Sequence, residues 1–570
     1  MISKNHGQEG GNMRKSKKWL SVLTAVVLAG SALAGCSGGG SSQPAQSSPA
    51  AEDAAEKTEE AEAPRDILET QAAATKGQEI MEGGSVTIAC STDCSNVAAW
   101  RVRSPYERLN WSGIYEPLFR MNDDGTVKGH LATSLDADYD NLTYTIHLRE
   151  DVNFSDNSPL DADVVVWNLE NFKENSQSSA THFSKVESFE KVDDYTVAIH
   201  LAEWTSQMPF SLADVAGLMY SKKAFDENGY DWCMENPVGT GPYVLDQWVK
   251  DEYKTLVRNE NYWNRDAMGH LDSYTIRVVA DQTAAENALK AGEIDGYYNG
   301  NTMFENTMLA QGYQEFSNTA RYNAYFIVFA SGVESSPLND AKVRQAIAYA
   351  IDAQAICDSL GFGIDTFSGQ YAALGSPFYV DGINNYEYNV EKAKELLAEA
   401  GYPDGFSTTI YTGNEMHVND YMVVLQSYLK DIGIDVKLEY ADNAEWSGTI
   451  MYEIPEGMIF MSHGFDNNII NQAYSNFALQ NEGNGMLNKC KIVPDDMKAA
   501  LDGAMSAPDT DTMMAEWRTA ARLLFDDYCL AYTIAHTKGS RVLCNDRIVD
   551  EGWITTPCNY MNFSNIGVCK

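Results

Sequence analysis

The sequence predicts an α/β protein of more than one domain, on three observations. Strand-like alternation and helix-like apolar periodicity interleave along the chain instead of falling into separate blocks. The stretch from 408 to 440 reads strand (TTIYT), helix (YMVVLQSYLKDI), a stop at Gly433 and strand (IDVKLEY), which is a βαβ unit. About 490 residues remain once the N-terminal segments are set aside, too many for one compact core and enough for two or three domains.

Arg14, Lys15, Lys17 and Lys18 precede an apolar run from Trp19 to Leu33 and the small residues Ala34 and Gly35. A basic flank, a short apolar segment and small residues make an export signal, and the run is short for a membrane-spanning helix. Leu33-Ala34-Gly35-Cys36 resembles the lipobox of bacterial lipoproteins, in which the cysteine thiol receives a diacylglycerol and becomes the new N-terminus. The resemblance implies a signal peptide over 1–35, a lipidated Cys36 and a place on the outer face of the cell membrane. The alternative is an ordinary signal peptide cut nearby, with Cys36 incidental. Residues 36–76 then form the tether. Gly, Ser and Gln give way to Glu52, Asp53, Glu56, Glu59, Glu60 and Glu62, and such a segment stays disordered and is extended by its like charges.

In the body of the chain, Ser85 to Ala89 alternates as a strand does, and so does Leu142 to Leu148 through Tyr144, Ile146 and Leu148. After Pro159, Asp161 is placed to cap a helix whose Val165, Leu169 and Phe172 share a face. Pro237, Gly239, Gly241 and Pro242 force a tight turn ahead of Tyr243. Gly292 ends a helix in ALKAGEIDGYY, and Asp295 follows it into a strand. In DAKVRQAIAYAID, the residues Val343, Ala346, Ile347, Ala350 and Ile351 form one buried stripe.

The formal charge of −40 argues against nucleic acid and anionic lipid as partners, which it would repel. Beside Cys36 stand nine cysteines with no CxxC pair of zinc-ligand spacing. Cys90 with Cys94, and members of the late set Cys490, Cys529, Cys544, Cys558 and Cys569, either pair or remain reduced, partly buried thiols. The odd number leaves at least one unpaired. No GxGxxG or GxxxxGKS cradle exists for a nucleotide, and the nine histidines form no close pair, so neither a cofactor nor a protein-only metal site is expected. A secreted hydrolase is the rival class, but GxSxG and HExxH are both absent.

Six blocks then occur in order: LREDVNFSDNSPLDADVV, NPVGTGPYVLDQW with NENYW, ALKAGEIDGYY, VRQAIAYAIDAQAI, AKELLAEAGYPDGF and LKDIGIDVKLEY. Together they resemble the family 5 solute-binding proteins of ABC importers, and the likeness covers nearly all of 80–560. It implies a two-lobed periplasmic-binding-protein-like fold (type II, cluster C-like) with an extra domain inserted in lobe I. Lobe I is expected over 77–125, 236–325 and 535–570, the inserted domain over 126–235 and lobe II over 326–534. Hinge strands are expected near Asn323 to Phe329 and Tyr532 to His536. The resemblance further implies a monomer without catalytic activity that captures an oligo- or dipeptide between the lobes and delivers it to a cognate pair of ABC permeases. A non-peptide solute (oligosaccharide, nickel chelate or haem) and a surface peptide sensor are the alternatives.

Site residues follow from the same resemblance. In peptide-binding members an aspartate of lobe II pairs with the ligand's α-ammonium, after a pattern like D-x-x-x-x-G-W-x-x-D. The stretch GMIFMSHGFD puts Asp466 on that aspartate, while Gly457, Ser462 and His463 replace the leading aspartate, the glycine and the tryptophan. The alternative for Asp466 is an Asx-turn with Asn467 and Asn468. His463 is either a ligand contact or a locally hydrogen-bonded ring. Trp100, Arg101, Tyr106 and Trp111 follow the first strand, where family members line the pocket, and Tyr371 lies in a lobe II loop beside the GSPF turn; the alternative for these aromatics is the core.

Overall fold

The computed structural model describes residues 79–102, 108–122, 124–298, 301–317, 323–383, 386–413, 419–464, 469–479, 486–487, 489–538, 541–550 and 561–569. Cys36, Tyr106 and Asp466 lie outside the described residues. Two large mixed sheets and one smaller antiparallel sheet organise the rest.

The seven-stranded sheet runs in the order Gln314–Ser317, Arg541–Cys544, Gly296–Tyr298, Ser85–Cys90, Ser273–Val278, Tyr253–Arg258 and Tyr243–Val249. Ser85–Cys90 sits in its middle, parallel to both Ser273–Val278 and Gly296–Tyr298. The helix Gln282–Ala291 joins those two parallel neighbours. Asp281 caps it by accepting from the Ala284 amide, and Gly292 ends it at φ +72°, a left-handed conformation in which a side chain would be strained.

The five-stranded sheet has the order Ile434–Ala441, Phe406–Gly413, Met458–Gly464, Asn323–Phe329 and Ala531–Thr537. Its outer parallel pair, Phe406–Gly413 and Ile434–Ala441, is joined by the helix Asn419–Asp431, which is the βαβ unit read from the sequence. One face carries helices 341–349, 390–399 and 419–431 over a core that includes Ile327, Phe329, Ile347, Leu397 and Leu425. The other face meets helices 495–505 and 510–522 through Phe326, Val328, Ile459, Leu501 and Trp517.

The antiparallel sheet, in the order Ala132–Asp138, Thr143–Leu148, Thr196–Leu201 and Val186–Asp193, comes from a single stretch between strands of the seven-stranded sheet. Helix Ala162–Asn175 packs on it and buries Val165, Leu169 and Phe172, with the Asp161 carboxylate accepting from the Val164 amide at 3.0 Å. The glycine-proline turn is a close backbone crossing. A Cβ on Gly239 would lie 2.1 Å from the Ile114 carbonyl oxygen, and one on Gly241 would lie 2.5 Å from that of Gly113.

The eight described cysteines, Cys90, Cys94, Cys233, Cys357, Cys490, Cys529, Cys544 and Cys569, are free thiols, and all but Cys569 are buried. The disulfide alternative is therefore not taken up at Cys90 and Cys94 or among the described members of the late set; Cys558 lies outside the described residues. Burial, the largest cause, raises the Cys90 thiol to about 11 against the pull of Lys254, so this sulfur is a packing atom rather than a reactive one.

Candidate functional site: the cleft at the two chain crossings

Strand register locates the site. The chain passes between the two large sheets twice, from Ser317 to Asn323 and from Thr537 to Arg541, and both ends of the passages are paired side by side. Ser317 opposes Arg541 in one sheet, and Asn323 opposes Thr537 in the other. The Asn323 side-chain amide also donates to the Thr537 hydroxyl at 3.1 Å.

The same register brings the carboxyl ends of the parallel strands to these crossings. Asn323 opposes Gly464, the last residue of Met458–Gly464, to which Phe406–Gly413 is parallel. In the other sheet Val542 opposes Tyr298, the last residue of Gly296–Tyr298, which runs parallel to Ser85–Cys90. Open α/β sheets bind ligands outside the carboxyl ends of their strands. Here the carboxyl ends of two sheets meet at one place.

A buried charge cluster anchors the second crossing. The Lys538 ammonium donates to Glu315 Oε2 at 2.6 Å and lies 3.7 Å from Glu305 Oε1. Arg541 Nη1 donates to Glu305, and its Nη2 reaches the Thr302 hydroxyl at 3.1 Å. All four charged side chains are at most 3 % exposed. Burial and the adjoining Glu315 carboxyl raise Glu305, whereas Glu315, although burial opposes it, is held down by the Glu305 hydrogen bond and by Lys538. The two carboxyls are thus pushed in opposite directions, Glu305 toward keeping its proton and Glu315 toward giving it up.

A second buried pair fixes the segment that leaves Ser85–Cys90. Asp93 accepts from the Lys254 ammonium, from Trp248 Nε1 at 2.9 Å and from the Asp251 amide at 3.0 Å. Lys254 also donates to Asn110 Oδ1 at 2.8 Å and lies 4.8 Å from the Trp248 ring centroid. These bonds lower the Asp93 carboxyl in spite of its burial.

Among the described residues, Trp100, Arg101, Trp111 and Tyr371 are not gathered into one site. Trp100 is buried among Trp167, Tyr220, Phe225 and Tyr230, with ring centroids 5.2–6.3 Å away, so its indole is committed to the core. Arg101 extends to the Asn175 carbonyl at 3.4 Å, at the end of the helix Ala162–Asn175. Trp111 is buried in the same core. Tyr371 packs against Phe326, Phe477 and Phe525 on the five-stranded sheet, and burial raises its phenol far above the ordinary range. His463 opposes Ala324 within Met458–Gly464, so its backbone is at the crossings while its side chain lies outside the described residues. Asp466 follows this strand by two residues.

Sequence reasoning missed Trp446. Its half-buried ring lies over Gly413, the last residue of Phe406–Gly413, with ring atoms from 3.4 Å of where a Cβ would stand. The indole thus stands at the carboxyl end of a parallel strand in the five-stranded sheet. The signal available was Gly413 itself, whose missing side chain makes room for the indole. Among the described residues no group of three or more His, Cys, Asp or Glu side chains is placed to hold a metal ion.

The family model described as "Bacterial extracellular solute-binding proteins, family 5 Middle" matches residues 126–485. The chain belongs to this family. Among curated relatives of this family 5 protein, the glutathione-binding protein GsiB of Salmonella paratyphi A is 29 % identical over 360 residues, which is 63 % of this chain and 69 % of the relative. Among solved structures, the ABC transporter substrate-binding protein CtaP of Listeria monocytogenes superposes with a TM-score of 0.74 at 22 % identity, over 86 % of this chain and 100 % of that one. The periplasmic binding protein DppA of Helicobacter pylori, solved with the peptide STSA, gives 0.70 at 24 % identity, over 88 % and 100 %. The fold is the two-lobed solute-binding fold of these proteins.

Proposed function

We propose that this family 5 protein is the membrane-anchored, extracellular solute-binding component of an ABC importer, which captures an oligo- or dipeptide between its lobes and delivers it to the permease. The observation that carries the reading is the meeting of strand carboxyl ends from two sheets at paired chain crossings, the geometry by which two lobes close on a solute. In this reading lobe I spans 77–125, 236–325 and 535–570, the inserted domain 126–235 and lobe II 326–534. The relatives named for glutathione or solved with STSA support a peptidic ligand. Export follows from residues 1–35 and anchoring from a lipidated Cys36. The protein has no turnover: it binds one solute and returns it unchanged.

Asp466 is the proposed partner of the peptide ammonium, because a buried, unpaired ammonium is strongly unfavourable. Trp446, at the end of the neighbouring strand, offers a ring for side chains to pack on. The test is to extract and identify by mass spectrometry the solute that co-purifies with the full-length protein, then to titrate it by calorimetry. Asp466→Asn is expected to lose about 3–5 kcal/mol, on the order of a hundred- to several-thousand-fold in affinity. An affinity within about threefold of wild type removes Asp466 from the site. A co-purified solute without an amine, or steady conversion of a peptide, ester or glycoside, overturns the peptide-capture reading.

A further inference from the structure

A cavity of about 580 Å³ lies away from the crossings, between the antiparallel sheet and the five-stranded half of the molecule. Its walls are Leu135 on the strand Ala132–Asp138, Phe119, the rings of Phe210 and Phe378, which meet edge to face with centroids 6.1 Å apart, and Met513 and Met514 on the helix Thr510–Arg522. Volume and lining both fall in the range of small-molecule sites: apolar and aromatic walls with few polar groups. The back of the cavity is tied together across the chain. Trp204 Nε1 donates to the Ala507 carbonyl at 2.8 Å, and Ser206 donates through its amide to Met505 and through its hydroxyl to Ala504, each at 2.8 Å. The walls are therefore held in place by segments about 300 residues apart in sequence.

Charge selects the occupant. Among the described residues that line the cavity there is no Lys, Arg or His, and the charged ones are Asp124 and Asp509, both exposed at its mouth. Each carboxylate is fixed by local bonds. Asp124 Oδ1 accepts from the Thr126 amide and hydroxyl at 2.9 and 2.6 Å, and Asp509 accepts from the Thr512 amide at 2.7 Å while capping the helix. On a chain of formal charge −40 an anion is repelled from such a mouth and a cation is drawn to it. Aromatic and methionine walls suit a flat apolar group.

We infer that this cavity is a second binding site, separate from the peptide cleft, for a small molecule that joins a flat apolar group to an ammonium. The occupant lies with its ring against Phe210, Phe378 and the two methionines and its charge toward Asp124 and Asp509.

The probe is tryptamine, with the neutral 3-ethylindole as control, titrated into the full-length protein with its co-purified solute still bound in the cleft. The expected result is saturable binding of tryptamine at least tenfold tighter than of 3-ethylindole. In the double variant Asp124→Asn/Asp509→Asn the two probes are expected to bind within about threefold of each other. Asn keeps both the turn and the helix cap, so the fold is retained while the charge is lost. Ala137→Trp, which puts an indole into the cavity from its wall, is expected to weaken tryptamine binding at least tenfold and to leave the cleft solute bound. Absence of saturable tryptamine binding, equal binding of both probes to wild type, or an unchanged preference in the double variant overturns the site. Release of the cleft solute by tryptamine also overturns it, because the probe is then using the cleft.

Discussion

Glu116 shows at the scale of one residue why several blocks of this sequence are what they are. Its side chain is fully buried and accepts from His130 Nε2 at 2.9 Å and Tyr262 Oη at 2.8 Å on one oxygen, and from Trp263 Nε1 at 2.8 Å and Thr240 Oγ1 at 3.0 Å on the other. Thr240 belongs to the glycine-proline turn and Tyr262 and Trp263 to NENYW, so two blocks that read as scaffold in the sequence are the walls of one carboxylate. Burial alone would raise Glu116, but His130, Arg120 and Trp263 outweigh it and hold the carboxyl down to about 2. His130 is itself lowered by burial and by Arg120, so near pH 7 it acts as a hydrogen-bond donor, and it becomes a counterion as the solution turns acid. Because the folded pKa lies below the unfolded one, the stabilisation is fully present above about pH 4.5 and is lost as pH falls toward 2, an effect of roughly 3 kcal/mol. Glu116→Gln should therefore lower the thermal midpoint clearly at pH 7, with the difference from wild type shrinking between pH 4.5 and pH 2.5. A pH-independent difference would mean that Gln disturbs packing rather than charge. None of this was legible beforehand, because the partners lie up to 147 residues from Glu116 in sequence.

Elements were legible where periodicity and end signals agree. The βαβ unit lies where the sequence puts it, with strands Phe406–Gly413 and Ile434–Ala441 around Asn419–Asp431, because apolar spacing fixes the element type while its ends vary by a residue or two. The helix Ala162–Asn175 begins at its Asp161 cap for the same reason, and Asp161→Ala should cost about 1 kcal/mol, read as a small fall in midpoint with unchanged solute binding. The helix Ala341–Tyr349 carries a feature its apolar stripe hides. Arg344 lies beside the buried Val343 and is itself fully buried, donating to the carbonyls of Leu338 at 2.7 Å, Asn339 at 2.9 Å, Tyr528 at 3.0 Å and Cys529 at 3.1 Å. It thereby ties the start of this helix to the segment entering Ala531–Thr537. Arg344→Met should cost about 3 kcal/mol or more by leaving buried carbonyls unpaired, and Arg344→Lys should rescue little, since one ammonium does not match a planar fork spread over two segments. Full rescue by Lys, measured as the thermal midpoint, would show that charge alone is needed.

For the molecule as a whole, the resemblance to family 5 proteins implied the two-lobed class, while nothing in the sequence tells how the crossing is held. Buried ion pairs leave no periodic trace: Glu305 and Glu315 read as ordinary helix and strand residues, and their partners Lys538 and Arg541 lie more than 220 residues on. The aromatics after the first strand illustrate the converse, since Trp100 and Trp111 were chosen by position while packing assigned them to the core. In the second crossing Thr537 is paired to Asn323 in the five-stranded sheet, and the next residue, Lys538, is bound to Glu315 on a strand of the seven-stranded sheet. Consecutive residues thus engage different sheets, and the link between them joins the two. Lys538→Met removes the anchor and strands Glu315 as an uncompensated buried carboxylate, with an expected cost of about 3–5 kcal/mol. Glu315→Gln on that background removes the stranded charge, so the double variant should recover at least about 1 kcal/mol over Lys538→Met alone in a double-mutant cycle read by thermal unfolding. Strict additivity of the two substitutions would show that the pair does not couple, and the crossing would then be held by backbone pairing alone.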